Sequence, residues 1–160
     1  IESDWSSASY FYSIIALSEI GTQITLSSYK QNSLQGDSVL VGIYKNFGVE
    51  TTFTANTILI KKVNNYQLST VNYQLNNAPD IAQTIAVTCF GLGIGCHLSG
   101  LHTLKIKETD RLEALKTELT TLSREVTAKN IELDTSHINT IPELLKVIYN
   151  NLFINKVITE

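Results

Sequence analysis

The chain has 160 residues, 43% of them hydrophobic and 17% charged, which is enough apolar material to bury a core in one domain or two small ones. A formal net charge of -3 excludes a general nucleic-acid surface and a polybasic membrane anchor, because each needs a cationic excess. Any anion site must therefore be local.

The chain opens on Ile1 in what reads as a short strand and contains no methionine, so it is expected to be a piece of a longer polypeptide. A helix is predicted over Ser6 to Glu19, with Tyr10, Ile14, Ile15 and Leu17 on its apolar side, followed by an alternating strand from Thr22 to Leu26. A second helix runs from Ser38 to Asn46 and is stopped by Gly48. Val49 to Phe53 and Thr57 to Ile60 then read as a strand pair turning near Ala55 and Asn56. From Ser69 the order returns: strand Val71 to Tyr73, helix Pro79 to Phe90, strand Cys96 to Leu98 and helix Thr109 to Leu122. Strands around Glu125 to Thr127 and Ile131 to Leu133 complete the second set.

The order β-α-β-α-β-β thus occurs twice, over about 1–62 and 69–134, the second copy roughly 75 residues after the first. This predicts an α+β (α/β) fold of repeated units. Asp4 and Asp80 precede the first helices of the two copies, and Asp37 and Asp110 precede the second helices. An aspartate there is favoured as a cap whatever the function, so the matched order of elements carries more weight. A third unit is read from about 138–160. Thr140-Ile141-Pro142-Glu143 resembles a capping box, Ile141, Leu144, Leu145, Ile148 and Leu152 share a helical face, and Phe153 to Ile158 reads as a strand.

The longest apolar run, Ile85 to Cys96, is interrupted by Thr88 and three glycines and is too short for a membrane span. With no signal-peptide pattern at Ile1, the chain is expected to be soluble and cytoplasmic. Cys89 and Cys96 are too few for a disulfide framework and lack zinc-site spacing, so both are expected to be buried thiols. His97, His102 and His137 also lack ligand spacing. The stretch Gly91-Leu92-Gly93-Ile94-Gly95 follows a helix, whereas the dinucleotide fingerprint must follow a strand, so it reads as a helix-to-strand turn. Ser6, Ser7 and Ser9 have no nucleophile-elbow context and read as capping and packing residues.

Charge concentrates at one joint. Lys105 to Leu115, KIKETDRLEAL, places three cations and three carboxylates in eleven residues, where an alternating pattern gives way to a helical one. Unpaired N–H groups and the positive end of the macrodipole favour anions at such a helix start. Lys107 and Arg111 add a point charge and a bidentate fork. Glu108 and Asp110 are poor partners for an anion, so a carboxylate there suits proton transfer, its pKa set by the adjacent cations. The plainer alternative is an exposed helix start with local ion pairs worth roughly 0.2 to 1 kcal/mol each. In Asn76-Asn77-Ala78-Pro79-Asp80 the proline pre-sets a first turn, and Asp80 either caps the helix or projects into a cleft.

Four segments read in series favour the functional alternatives. These are Glu2-Ser3-Asp4-Trp5-Ser6-Ser7-Ala8-Ser9-Tyr10-Phe11, Asn32-Ser33-Leu34-Gln35-Gly36-Asp37, Ala78-Pro79-Asp80 and Lys107-Glu108-Thr109-Asp110-Arg111-Leu112. In order and spacing, from Ile1 to about Leu133, they resemble the C-terminal half of the EPSP synthase (3-phosphoshikimate 1-carboxyvinyltransferase) family. The resemblance implies the enolpyruvyl transferase fold, with domains of three β-α-β-α-β-β units, so that residues 1–160 would be a partial C-terminal domain. It also implies transfer of the enolpyruvyl group of phosphoenolpyruvate to the 5-hydroxyl of shikimate 3-phosphate, with no metal or organic cofactor.

Carried over by motif, Asp80 is similar to the carboxylate that contacts the shikimate ring and accepts the 5-hydroxyl proton. Glu108 is similar to the acid that protonates the methylene carbon of phosphoenolpyruvate. Lys107 corresponds to a lysine on the shikimate substrate, and Arg111 to an arginine on phosphoenolpyruvate. Thr103 stands where many relatives carry a substrate-contacting asparagine. The expected partners are the two small-molecule substrates and the remainder of the same polypeptide, with no nucleic acid or membrane, and the full-length enzyme is expected to be a monomer. The alternatives are a related transferase acting on a UDP-amino sugar, against which the 76–80 and 107–111 segments speak, and a non-enzymatic module that binds an anion or a partner.

Overall fold

The structure is a computed structural model that describes residues 1–66, 68–105 and 110–129. It divides after Thr103 into two compact units. The first contains helices α1 (Trp5–Ala16), α2 (Leu40–Lys45) and α3 (Ala82–Leu92) and strands β1 (Gln23–Ser27), β2 (Val49–Phe53), β3 (Thr57–Lys62), β4 (Thr70–Gln74) and β5 (Gly95–Ser99). Short 3-10 turns, Gly36–Val39 and Pro79–Ile81, lead into α2 and α3. The second unit contributes one described helix, α4 (Arg111–Lys129). The fold is α+β, and the predicted elements of the first 100 residues are present to within a few residues, apart from the strand read at Ile1. There the chain makes isolated bonds rather than a ladder, the Ser3 amide donating to Ser28 O, just past β1, at 2.7 Å.

β3 is the centre of an antiparallel sheet in the order β1-β3-β2, with Ile24 opposite Ile60 on one side and Thr51 opposite Ile60 on the other. Its alternation explains its place: Ile58 and Ile60 are fully buried, whereas Lys61 is exposed. Burying each isoleucine contributes roughly 1.5–3 kcal/mol. α1 packs on this sheet and on α3. Trp5, Tyr12, Tyr44 and Phe47 fill the space with no exposure. Tyr12 and Tyr44 meet at 5.3 Å between ring centroids, and Trp5 meets Tyr29 edge-on at 5.0 Å. β4 and β5 form a separate parallel pair, Thr70 opposite Gly95 and Gln74 opposite Ser99.

Several details differ from the sequence reading. On α1, Ile15 and Leu17 are buried, but Tyr10 and Ile14 are 44% and 43% exposed, because the core face is set by Trp5, Ala8, Ser9, Tyr12 and Ser13 instead. Cys89 is buried and its thiol is pushed up to about 12 by burial first and by Cys96 beside it, whereas Cys96 itself is exposed on β5. The alternation of Leu104 and Ile106 does not make a strand at Leu104, since His102–Lys105 is a 3-10 turn. The expected strand at Glu125 to Thr127 is helical: α4 continues to Lys129, and no glycine or proline interrupts the chain between Arg111 and Lys129. The strand expected at Ile131 to Leu133 and the tail helix and strand lie outside the described residues. Gly93 takes φ 68°, and the Ile94 amide donates to Cys89 O at 2.9 Å, so the glycine-rich stretch is the helix-to-strand turn expected of it. Among the described residues no helix is long and apolar enough to cross a membrane.

Candidate active site

Because β4 and β5 are parallel, their carboxyl ends lie at one edge, and the chain leaving each end must turn there. After Gln74, the Leu75 amide still donates to Ser99 O at 2.8 Å, and the Ala78 amide closes a turn on Leu75 O at 3.1 Å. Pro79–Ile81 follows as a 3-10 turn with Pro79 in its first position, where a missing N–H costs nothing. Asp80 sits inside this turn, half-buried, and Ile81 beside it is fully buried. The cap position belongs to Ala78, and neither this turn nor α3 has a side-chain cap hydrogen bond, so Asp80 is not the N-cap. After Ser99, Gly100 at φ 78° turns the chain out of β5 toward Thr103. The two parallel strands therefore bring Asp80 and Thr103 to the same edge. The Thr103 hydroxyl is shut off from solvent and has no hydrogen-bond partner among the described residues.

The start of α1 and the turn before α2 form the neighbouring wall. Asp4 caps α1, accepting from the Ser6 and Ser7 amides at 3.1 and 3.2 Å and from Ser7 Oγ at 2.8 Å. Burial raises its carboxyl, but these bonds outweigh that and leave it below the ordinary carboxylate range. The Gln35 side chain bridges elements, its Oε1 accepting from the Trp5 amide and its Nε2 donating to Ser3 O, both at 2.9 Å. Ser6 Oγ donates to Asp37. Between these fastened residues, Gly36 lies so close to the Asp80 loop that a Cβ on it would fall 1.9 Å from Asn77 O. Of the serines read as capping and packing residues, none is the cap, which is Asp4: the Ser6 and Ser7 hydroxyls donate to Asp37 and Asp4, and Ser9 packs, its Oγ meeting Thr84 Oγ1 at 2.9 Å between α1 and α3.

In the second unit, Arg111 is the first residue of α4 and is half-buried. Asp110 caps this helix, its Oδ1 accepting from the Leu112 and Glu113 amides at 3.1 and 3.2 Å. The helix start expected at the charged joint is thus present, with Asp110 occupied as its cap. Lys107 and Glu108 lie outside the described residues. Among those described, no cluster of three or more His, Cys, Asp or Glu could hold a metal ion. What sequence reading left without a role was Gln35 and Gly36. They stood inside a quoted motif, but a brace and a close approach between elements leave no periodic trace.

The family model described as EPSP synthase (3-phosphoshikimate 1-carboxyvinyltransferase) matches residues 1–146, and the chain belongs to that family. A 3-phosphoshikimate 1-carboxyvinyltransferase of Bacteroides fragilis is 43% identical over 130 residues, which is 81% of this chain and 31% of the relative. Proteins of the same name from Methanococcus aeolicus and Methanospirillum hungatei are 35% and 32% identical over 81% and 79% of the chain, and 29% of each relative. The chain therefore spans less than a third of the length of these curated relatives.

Proposed function

We propose that this chain is part of the C-terminal domain of an enzyme that transfers the enolpyruvyl group of phosphoenolpyruvate to the 5-hydroxyl of shikimate 3-phosphate. In this reading residues 1–62 and 69–134 are two β-α-β-α-β-β units and 138–160 begin a third. The observation that carries it is the family match over residues 1–146, which contain Asp80, Thr103, Lys107, Glu108 and Arg111.

The chemistry is the one that the family resemblance implies for these positions. Asp80 takes the proton of the 5-hydroxyl, making that oxygen nucleophilic toward C2 of phosphoenolpyruvate, while Glu108 delivers a proton to the methylene carbon. The tetrahedral adduct then returns a proton from that methyl carbon to the Glu108 carboxylate and loses its C–O bond to phosphate, restoring the double bond and releasing phosphate. Lys107 and Arg111 hold the anionic substrates, Arg111 with a fork suited to a phosphate or carboxylate of phosphoenolpyruvate. Thr103 replaces an amide with a shorter hydroxyl at the carboxyl edge of β5. The reaction draws on proton transfer and preorganised charge and needs no metal or organic cofactor. The complete enzyme works as a cytoplasmic monomer on these small molecules.

By itself the chain should not turn over, since two anions must be held together in a water-poor site closed by the rest of the polypeptide. Each missing electrostatic group typically removes on the order of a hundredfold in rate. A phosphate-release assay on the chain alone, then with the remaining segments of the polypeptide added, is expected to be silent in the first case and active in the second. Turnover by the chain alone, abolished by Glu108→Ala, would overturn the claim.

A further inference from the structure

We infer that Gly36 and Gly100 are positioning residues that fix the place of Asp80 by gripping the loop before it from two sides, an inference that rests on the reading of Asp80 as the base. On one side, a Cβ at Gly36 would lie 1.9 Å from Asn77 O and 3.0 Å from Asn77 C, both backbone atoms that cannot swing away as a side chain does. Gly36 itself has no room to retreat. Gln35 is tied to Ser3 and Trp5, and Asp37 to Ser6, so the residues on either side of it are fastened to the start of α1. On the other side, a Cβ at Gly100 would fall 2.7 Å from both the Asn76 amide nitrogen and its Oδ1, and Gly100 holds φ 78°, a conformation unfavourable for other residues. The loop cannot yield at its root either, because Leu75 N is bonded to Ser99 O.

Asn76 and Asn77 are therefore wedged, and the next place where the chain can depart is Pro79–Asp80. Ala78 carries the adjustment, at φ -145° and ψ 48°. A methyl group at position 36 must push the Asn77 peptide away, and Asp80, three residues on, moves with it. The two glycines differ from Gly42, where a Cβ would have nothing within 4 Å. Neither glycine needs to touch substrate for this to matter, since misplacing a reacting group by about 1 Å can cost on the order of a hundredfold in rate.

The test is a mutant cycle in the polypeptide that carries this chain at the length of its relatives, read as phosphate release from phosphoenolpyruvate and shikimate 3-phosphate, with cooperative thermal unfolding as the check on folding. Gly36→Ala is expected to lower kcat by about a hundredfold with KM for phosphoenolpyruvate little changed. The double variant Gly36→Ala/Asp80→Asn should be no slower than Asp80→Asn, because a group that acts only through Asp80 has nothing left to act on. Gly42→Ala is the control and keeps the parent kcat. If Gly36→Ala does not fold, Gly100→Ala enters the same cycle from the other side of the loop. Parent-like kcat in the glycine variants, or losses that multiply in the double variant, would overturn the inference while leaving Asp80 as the base. Full activity in Asp80→Asn would overturn it together with the reading of the site.

Discussion

Lys62 is a lysine held inside the fold. It is 2% exposed, and its ammonium donates to Ala16 O at 2.8 Å and Phe47 O at 2.7 Å. These carbonyls end α1 and follow the end of α2, where the last carbonyls of a helix lack intrahelical donors and carry the negative end of the macrodipole. Burial lowers the pKa of the amine. A lowered folded pKa means that, over the interval between it and the unfolded value near 10.4, the unfolded chain binds more protons, so stability gains with rising pH and loses again as pH falls through the folded pKa. Lys62→Met removes this dependence and leaves both carbonyls without their donor. It is expected to cost about 1–3 kcal/mol at pH 7 in urea unfolding. The gap to the parent should widen as the pH is raised toward 10, and a variant as stable as the parent, or a constant gap, would contradict the account. Burial pushes the phenols of Tyr12 and Tyr44 up, but these titrate in both proteins and cancel in the difference. The period-two pattern of β3 already put position 62 on the face of Ile58 and Ile60. The strand nevertheless runs two residues past the expected end at Ile60, and nothing local in the sequence announces two helix ends waiting for a donor.

Between elements, the seam of α1 and α3 is polar. Ser9 meets Thr84, and Thr88 Oγ1 lies 2.7 Å from Ser13 Oγ, 2.7 Å from Thr84 O and 2.9 Å from Tyr44 Oη. Both cross-helix pairs are 75 residues apart, the spacing read between the two copies in the sequence. Thr88→Val keeps the shape and deletes the oxygen, leaving the buried hydroxyls of Ser13 and Tyr44 short of a partner. A loss of about 1–3 kcal/mol is expected in chemical denaturation, and an unchanged midpoint would show that the network contributes nothing net. This seam explains which parts of the fold were legible. The strands from Gln23 to Ser99, the hairpin of β2 and β3, and the helix ends marked by Asp4, Asp110, Gly48 and Gly93 agree with the sequence reading because their signals are local. The core face of α1 was misread because the period was sought in Tyr10 and Ile14, whereas the buried positions include Ser9 and Ser13, small polar residues that pair only with their counterparts on a distant helix. The end of α4 differs from the sequence reading because the repeated order of elements called for a strand around Glu125 to Thr127, where no breaker ends the helix.

For the whole molecule, the family was legible through motifs more than through charge or periodicity. A net charge of -3 says only that anion sites must be local, and the family assignment rests on residues in order along the chain. The Asp80 loop and the capped start of α4 then give two of those motifs a physical form, each within its own unit. The grip of Gly36 on Asn77 was not foreseeable, because it joins residues 41 positions apart through backbone atoms alone. The acceptor and the proton donor are tested together by one measurement: phosphate release from phosphoenolpyruvate by the polypeptide that carries this chain at the length of its relatives, with shikimate 3-phosphate or UDP-N-acetylglucosamine as acceptor. The account predicts release with shikimate 3-phosphate alone, falling by at least about a hundredfold in Glu108→Gln. Release with the UDP-sugar instead, or release with shikimate 3-phosphate that Glu108→Gln leaves intact, would contradict it.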